Sequence, residues 1–194
     1  MIVNSHGTEV ASDWVQRWSH LVSPQGQILD VACGRGRHLR WFCSRGHPVT
    51  GVDRAPEAIE SVADLVSSGR AQTVVADIEN GPWPLMHGGK TRQFDAVVVT
   101  YYLWRPLFPT LLDSLAPGGL LLYETFATGN ETVGKPSRAD FLLQPGELLQ
   151  TCKDLRVVAY EDGFLGTPDR FVQRIAAVRP IVGATGLPQR YALA

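Results

Sequence analysis

The sequence predicts an α/β domain: a mostly parallel sheet of about seven strands, helices on both faces, and an antiparallel hairpin at the C-terminal end. Three observations predict it. Short apolar runs alternate with helix-period segments from about residue 27 to residue 125. Three successive apolar runs end in a carboxylate, at Asp30, Asp53 and Asp77. The last two runs, Leu155 to Glu161 and Phe171 to Val178, show the partial alternation of a terminal antiparallel pair. A length of 194 residues suits one domain with a sizeable core, expected over residues 1–180 with a tail at 181–194.

Residues Glu9 to Val22 read as an amphipathic helix, with Val10, Trp14, Val15, Trp18 and Leu21 on one stripe that packs on the sheet. Ser23-Pro24-Gln25-Gly26 breaks the chain. The first strand, Ile28-Leu29-Asp30-Val31, then empties into Ala32-Cys33-Gly34-Arg35-Gly36, and a helix runs from about Gly36 to Gly46. A strand feeding a glycine turn at a helix N-terminus is a ligand cradle: the glycines let backbone come close, and the free N–H groups attract an anion. Arg35, Arg37, His38 and Arg40 crowd the first turn of that helix, where the macrodipole favours acids. A bound anion would offset the conflict, so Arg37 and His38, nearest the turn, are pocket candidates.

The second strand, Val49 to Asp53, ends 19 positions after Gly34, near the interval expected of an acid that binds a ribose diol. The competing role for Asp53 is a cap on the next helix, where Pro56 suits the first turn. Ile59, Val62, Ala63 and Val66 form that helix's stripe and Gly69 closes it. Thr73 to Ile78 is the third strand. Glu79 to Gln93, rich in Pro and Gly, reads as a loop. Phe94 to Thr100 is a near-continuous apolar run, as expected at a sheet centre. It ends in Tyr101-Tyr102-Leu103-Trp104-Arg105, aromatic residues that either wall a pocket or pack on the core. A helix with Leu107, Phe108, Leu111, Leu112 and Leu115 follows. Pro117-Gly118-Gly119 turns the chain into a fifth strand, Leu120 to Thr125. Phe126 to Phe141 is polar and long enough for a lid, with Lys135 and Arg138 as candidate holders of an anion. A last helix begins near Pro145.

The dinucleotide pattern G-x-G-x-x-G fails here, because Leu39 stands at the third glycine. The pattern present is D-x-x-x-G-x-G, carried by Asp30, Gly34 and Gly36. It resembles motif I of the class I S-adenosylmethionine (SAM) methyltransferases, with Ala32 in place of their usual first glycine. Pro117-Gly118-Gly119 before an apolar strand is another habit of that family. The resemblance covers about Gln27 to Thr125. Within the family the chain looks most like the small stand-alone bacterial enzymes of the tellurite-resistance and thiopurine methyltransferase group. The resemblance implies a Rossmann-like methyltransferase fold and SAM as cofactor. It implies that Asp30, Ala32, Cys33, Gly34, Gly36 and Arg37 cradle the cofactor, and that Asp53 with Arg54 meets the ribose. Asp77 would meet the adenine amino group and Ile78 would cover the ring, while Thr100 and Tyr101 close the site at the end of the fourth strand. Trp14 and Trp18 would face the ligand as a roof. Tyr102, Trp104 and Glu124 are the catalytic candidates, Glu124 as base or substrate anchor. The implied reaction is in-line displacement of the methyl group by a small-molecule acceptor. The Asn-Pro-Pro-aromatic motif of amino-group methyltransferases is absent at Thr100 to Leu103, which argues against base-nitrogen or glutamine methylation. Two other readings compete: a non-catalytic SAM-binding partner subunit, and a nicotinamide-dependent oxidoreductase, disfavoured by Leu39 and by the lack of a Tyr-x-x-x-Lys pair.

Composition fits an enzyme of the cytoplasm. The chain is 44% hydrophobic and 19% charged. A net charge of −1 gives no electrostatic case for nucleic acid. The three cysteines lack C-x-x-C spacing and the five histidines lack paired ligand spacing, so neither a disulfide frame nor a metal site is expected. No run is long and apolar enough to span a membrane, and Met1 to Thr8 lacks the pattern of a signal peptide.

Overall fold

A computed structural model describes residues 10–181, 183 and 189–193. The first residue of the expected N-terminal helix and half of the tail lie outside them. The strands are β1 (Ile28–Val31), β2 (Val49–Asp53), β3 (Ala71–Val75), β4 (Met86–His87), β5 (Lys90–Thr91), β6 (Phe94–Thr100), β7 (Leu115–Phe126), β8 (Arg156–Gly166) and β9 (Asp169–Val178). Seven of them form one sheet in the order β3-β2-β1-β6-β7-β9-β8. The first five run parallel, and β9 and β8 are antiparallel. The fold class is therefore as the sequence predicts. Strand order reverses between β1 and β6, and the crevice outside their carboxyl ends is where such sheets bind ligands.

Helices cover both faces. On one, α1 (Asp13–Trp18) and α2 (Arg37–Cys43) pack Trp14, Trp18, Leu39 and Phe42 against Ile28, Ala96, Val98 and Leu122. On the other, α5 (Phe108–Asp113) and α6 (Glu147–Thr151) pack Leu111 and Leu148 against Leu29, Val97, Val99 and Leu121. The N-terminal helix is shorter than its stripe suggests, and Val10 is exposed. Trp14 and Trp18 do not roof a ligand. Both are fully buried, and Trp14 Nε1–H donates to the Ile175 carbonyl at 3.1 Å. The tail returns to this face, where Tyr191 packs on the core.

The expected helix after Asp53 is two: α3 (Pro56–Glu60) and α4 (Ala63–Ser67). The break has a local cause. Ser61 Oγ–H donates to the Ala58 carbonyl, an alternative to helical bonding, and Arg40 takes the Ser61 carbonyl at 2.9 Å. Val62 is fully buried under the glycine turn, while Val66 and Ala63 face outward and Leu65 and Ala58 are buried instead. The loop expected over Glu79–Gln93 contains the small β4–β5 hairpin. Strand β7 starts earlier than expected. Its register against β6 jumps from Leu115 to Leu120, and Pro117-Gly118-Gly119 occupies the gap as an irregularity rather than a separating turn.

Candidate active site

The site starts at the turn after β1. Ala32, Gly34 and Gly36 all have positive φ, at 53°, 51° and 74°. A Cβ on Gly36 would lie 2.3 Å from Val62 Cγ1, whereas Gly34 faces open space. Ala32 holds a left-handed conformation that favours glycine and costs an L-residue on the order of 1 kcal/mol. Ala32→Gly is therefore expected to stabilise the fold by about 1 kcal/mol, less the extra chain entropy of glycine. Urea unfolding measures this, and a loss of stability would show that the Ala32 methyl packs usefully.

Asp53 spans the turn. Its Oδ2 accepts the Gly34 N–H at 2.8 Å and its Oδ1 accepts the Ala55 N–H at 2.9 Å. It thus clamps the cradle to the start of α3, and it also lines the cavity beside it. That cavity, of about 370 Å³, opens at the carboxyl edge of the sheet. Ala32, Asp53 and Arg54 form its floor, and Asp77, Ile78 and Glu79 one side. Tyr101, Tyr102, Leu103, Thr125 and Phe126 form the other, with Pro136 and Phe141 above. Asp77 is held ionised: the Asn80 amide donates at 2.9 Å, and the Glu79 and Asn80 N–H groups at 3.0 and 3.1 Å. These bonds keep its carboxyl below the usual range. Burial, reinforced by Glu79, pushes the Tyr102 phenol well above its ordinary value.

Arg37 Nη2–H donates to Thr100 Oγ1 at 3.2 Å, and the guanidinium lies 4.9 Å from the centre of the Tyr101 ring, which stacks with Phe126 at 5.1 Å. Tyr101, like Ala32, holds a positive φ, 55°. Arg37 and Thr100 therefore brace the cavity wall from behind. Cys33 turns inward against Gly51 and Leu39, so only its backbone is available to a ligand; burial pushes its thiol up strongly. His38 is no pocket residue. It is buried to 1% exposure, and burial and then Arg37 push it down to about 3, so it stays neutral. The basic crowding that marked this turn is answered within the protein: Arg40 pairs with Asp64 through two bonds of 2.8 Å, and only Arg35 is left exposed.

Two of the three catalytic candidates are not brought to the cavity. Trp104 packs on the core with Leu103 and Phe108. Glu124 is 2% exposed, accepts the Ser12 hydroxyl at 3.0 Å, and faces Arg174 at 3.4 Å. Its side chain points to the α1 face, because the strand's alternation sets Glu124 with Leu120 and Leu122. Arg138 is likewise engaged, with Asp140 at 2.9 Å and the Phe141 ring. The segment that carries it does overhang the site, through Pro136 and Phe141. An Ala127–Leu143 bridge pins its base, and so does Arg105, which donates to the Asp140 and Leu142 carbonyls and pairs with Glu147. Phe126 and Phe141 line the cavity but flank a polar stretch, so no periodic pattern marks them. Among the described residues no cluster of three His, Cys, Asp or Glu could hold a metal, and no helix is long and apolar enough to cross a membrane. The three cysteines are free and buried.

The stretch from β1 to the end of the Pro-Gly-Gly irregularity, residues 28–119, matches the family profile described as methyltransferase domain. Residues 28–119 are a methyltransferase domain. The chain is 33% identical over 158 residues to a tRNA U34 carboxymethyltransferase of Idiomarina loihiensis, covering 72% of this chain and 44% of that protein. It is 31% identical over 111 residues to a malonyl-[acyl-carrier protein] O-methyltransferase of Serratia marcescens, covering 55% and 41%. The chain thus spans less than half the length of the curated relatives it matches. Among solved structures, TehB from Haemophilus influenzae superposes with a TM-score of 0.71 at 20% identity, covering 90% of this chain and 64% of TehB, a likeness of fold. The methyltransferase domain therefore contributes the glycine turn, the Asp53 and Asp77 carboxylates and the Tyr101–Leu103 wall, while Asp30, the first of the three acids, stays buried behind the turn. Thr125, Phe126, Pro136 and Phe141 come from beyond the matched residues.

Proposed function

We propose that this chain is a cytoplasmic SAM-dependent methyltransferase acting on a small-molecule acceptor. The observation that carries the reading is the juxtaposition, in one cavity at the strand-order reversal, of the Asp53 and Asp77 carboxylates with Ile78 and an aromatic wall. The groups present fit SAM. Asp53 and Asp77 offer acceptors for a ribose diol and an exocyclic amine, Ile78 and Leu103 offer apolar faces for a base, and Gly34 leaves open space at the turn. When bound, SAM supplies an electrophilic methyl group on a sulfonium. The residues of this chain bind, orient and exclude water. Orientation alone can lower the barrier by several kcal/mol. With Glu124 turned away, the cavity lining holds no histidine, and beyond Asp53 and Asp77 the groups it offers for proton transfer are the Glu79 carboxylate, the phenols of Tyr101 and Tyr102 and the Thr125 hydroxyl.

Calorimetry with SAM, S-adenosylhomocysteine and NAD tests the reading. The first two are expected to bind and NAD to stay silent; binding of NAD alone would overturn it.

A further inference from the structure

Behind the glycine turn runs a chain of buried polar side chains that does not reach the cavity wall. Asp30, His38, Ser12 and Glu124 are 1%, 1%, 8% and 2% exposed. The Ser12 N–H donates to His38 Nε2 at 3.2 Å. That bond leaves the ring proton on Nδ1, which faces Asp30 Oδ2 at 3.8 Å. This Asp30 oxygen is buried and has no hydrogen-bond partner among the described residues. The Ser12 hydroxyl is used twice: it accepts the Trp14 N–H at 3.2 Å, capping α1, and donates to Glu124 Oε1 at 3.0 Å. Glu124 in turn faces Arg174, which also pairs with Glu161.

One residue, the N-cap of α1, is thereby tied through its backbone to α2 and through its side chain to β7. Helix α1 is six residues long, too short to persist alone, so such ties decide whether it is seated. His38 stands on α2, two residues after the Gly36 cap of that helix. One of its nitrogens accepts from the N-cap of α1, and the other faces, at 3.8 Å, the strand that feeds the turn. A shift of the turn that moves the first residues of α2 moves this ring and loosens Ser12.

We propose that His38 is a positioning residue that couples the seating of α1 to occupation of the glycine turn. The inference rests on the reading that this turn holds SAM or its product. The coupling is reciprocal: a ligand that fixes the turn fixes α1, and a loosened α1 weakens the ligand by the same factor.

The test joins calorimetry with S-adenosylhomocysteine to hydrogen exchange over residues 12–21. In the unaltered protein the ligand is expected to slow exchange in that segment. His38→Leu, which lacks both nitrogens, is expected to bind about tenfold more weakly and to lose the ligand's effect on α1. His38→Gln, whose amide oxygen can accept the Ser12 N–H, is expected to recover most of both, which a purely space-filling role would not produce. If the ligand binds and exchange over 12–21 ignores it, the coupling is overturned whether or not the variants fold. If His38→Leu binds as tightly as the unaltered protein, it is overturned as well. If the unaltered protein binds neither SAM nor its product, the cofactor reading falls and takes the coupling with it.

Discussion

Asp53→Ala is expected to weaken SAM binding by on the order of tenfold or more and to lower the melting temperature at the same time. Both effects follow from one carboxylate. Its oxygens accept the Gly34 and Ala55 N–H groups at 2.8 and 2.9 Å, so its loss frees the cradle from α3. Each charge-assisted bond lost is worth about 1.5–3 kcal/mol, and 1.4 kcal/mol is a factor of ten in affinity. Asp53→Asn separates the two roles. The amide oxygen can still accept one backbone N–H, so the fold should largely recover. A carboxylate that also accepts a ribose diol is not replaced by an amide, so affinity should remain low. Melting curves and calorimetry on both variants decide it: recovery of affinity in Asp53→Asn would reduce Asp53 to a clamp.

Between pH 6.5 and 8.5 the protein is expected to lose stability, and Asp30→Asn is expected to remove most of that loss. Burial pushes Asp30 up to about 8, Arg37 opposing the rise and Asp53 adding to it. The folded state therefore keeps a proton that the unfolded chain sheds near pH 4. Stability from this group is present at low pH and declines as pH rises toward the folded value, then levels off. His38 acts in the opposite sense. Lowered to about 3, it stays neutral while the unfolded chain takes up a proton below about 6.5, so its contribution is lost as pH falls through that range. Above pH 6.5 Asp30 is the larger remaining contributor, the buried thiols of Cys33, Cys43 and Cys152, also pushed up, adding a smaller decline as the unfolded chain begins to shed their protons; at 1.36 kcal/mol per pH unit the Asp30 part amounts to about 2 kcal/mol. Since both groups are neutral near pH 7, their 3.8 Å approach is not an ion pair. Urea unfolding at pH 6.5 and 8.5 measures the slope, and equal slopes in the two proteins would refute the assignment to Asp30.

The succession of strands along the chain and the position of the cradle were legible because they rest on local chemistry. Asp30, Asp53 and Asp77 each close an apolar run, and a parallel sheet sets such ends on one edge. The breaks within segments were less legible. Ser61 and Val62 look helical in sequence, and what divides α3 from α4 is a serine bonded back to Ala58 and an arginine brought from α2. The catalytic candidates were read from order along the chain, which places Glu124 at the right edge of the sheet but does not show that its neighbours Ser12 and Arg174 hold it on the other face.

By itself the sequence determined the α/β class, the glycine turn, and the strand-end acids Asp53 and Asp77, because hydrophobic period, turn chemistry and helix caps act over a few residues. Tertiary structure alone decided what each polar side chain does once it arrives. Ser12 and Glu124 are 112 positions apart and bond to each other; Arg105 and Glu147, 42 apart, pin the overhanging segment; Phe126 and Phe141 meet Asp53 and Asp77 across one cavity. Burial then set the charge of Asp30 and His38, since the desolvation that shifts them comes from whatever packs around them and not from their neighbours in the chain.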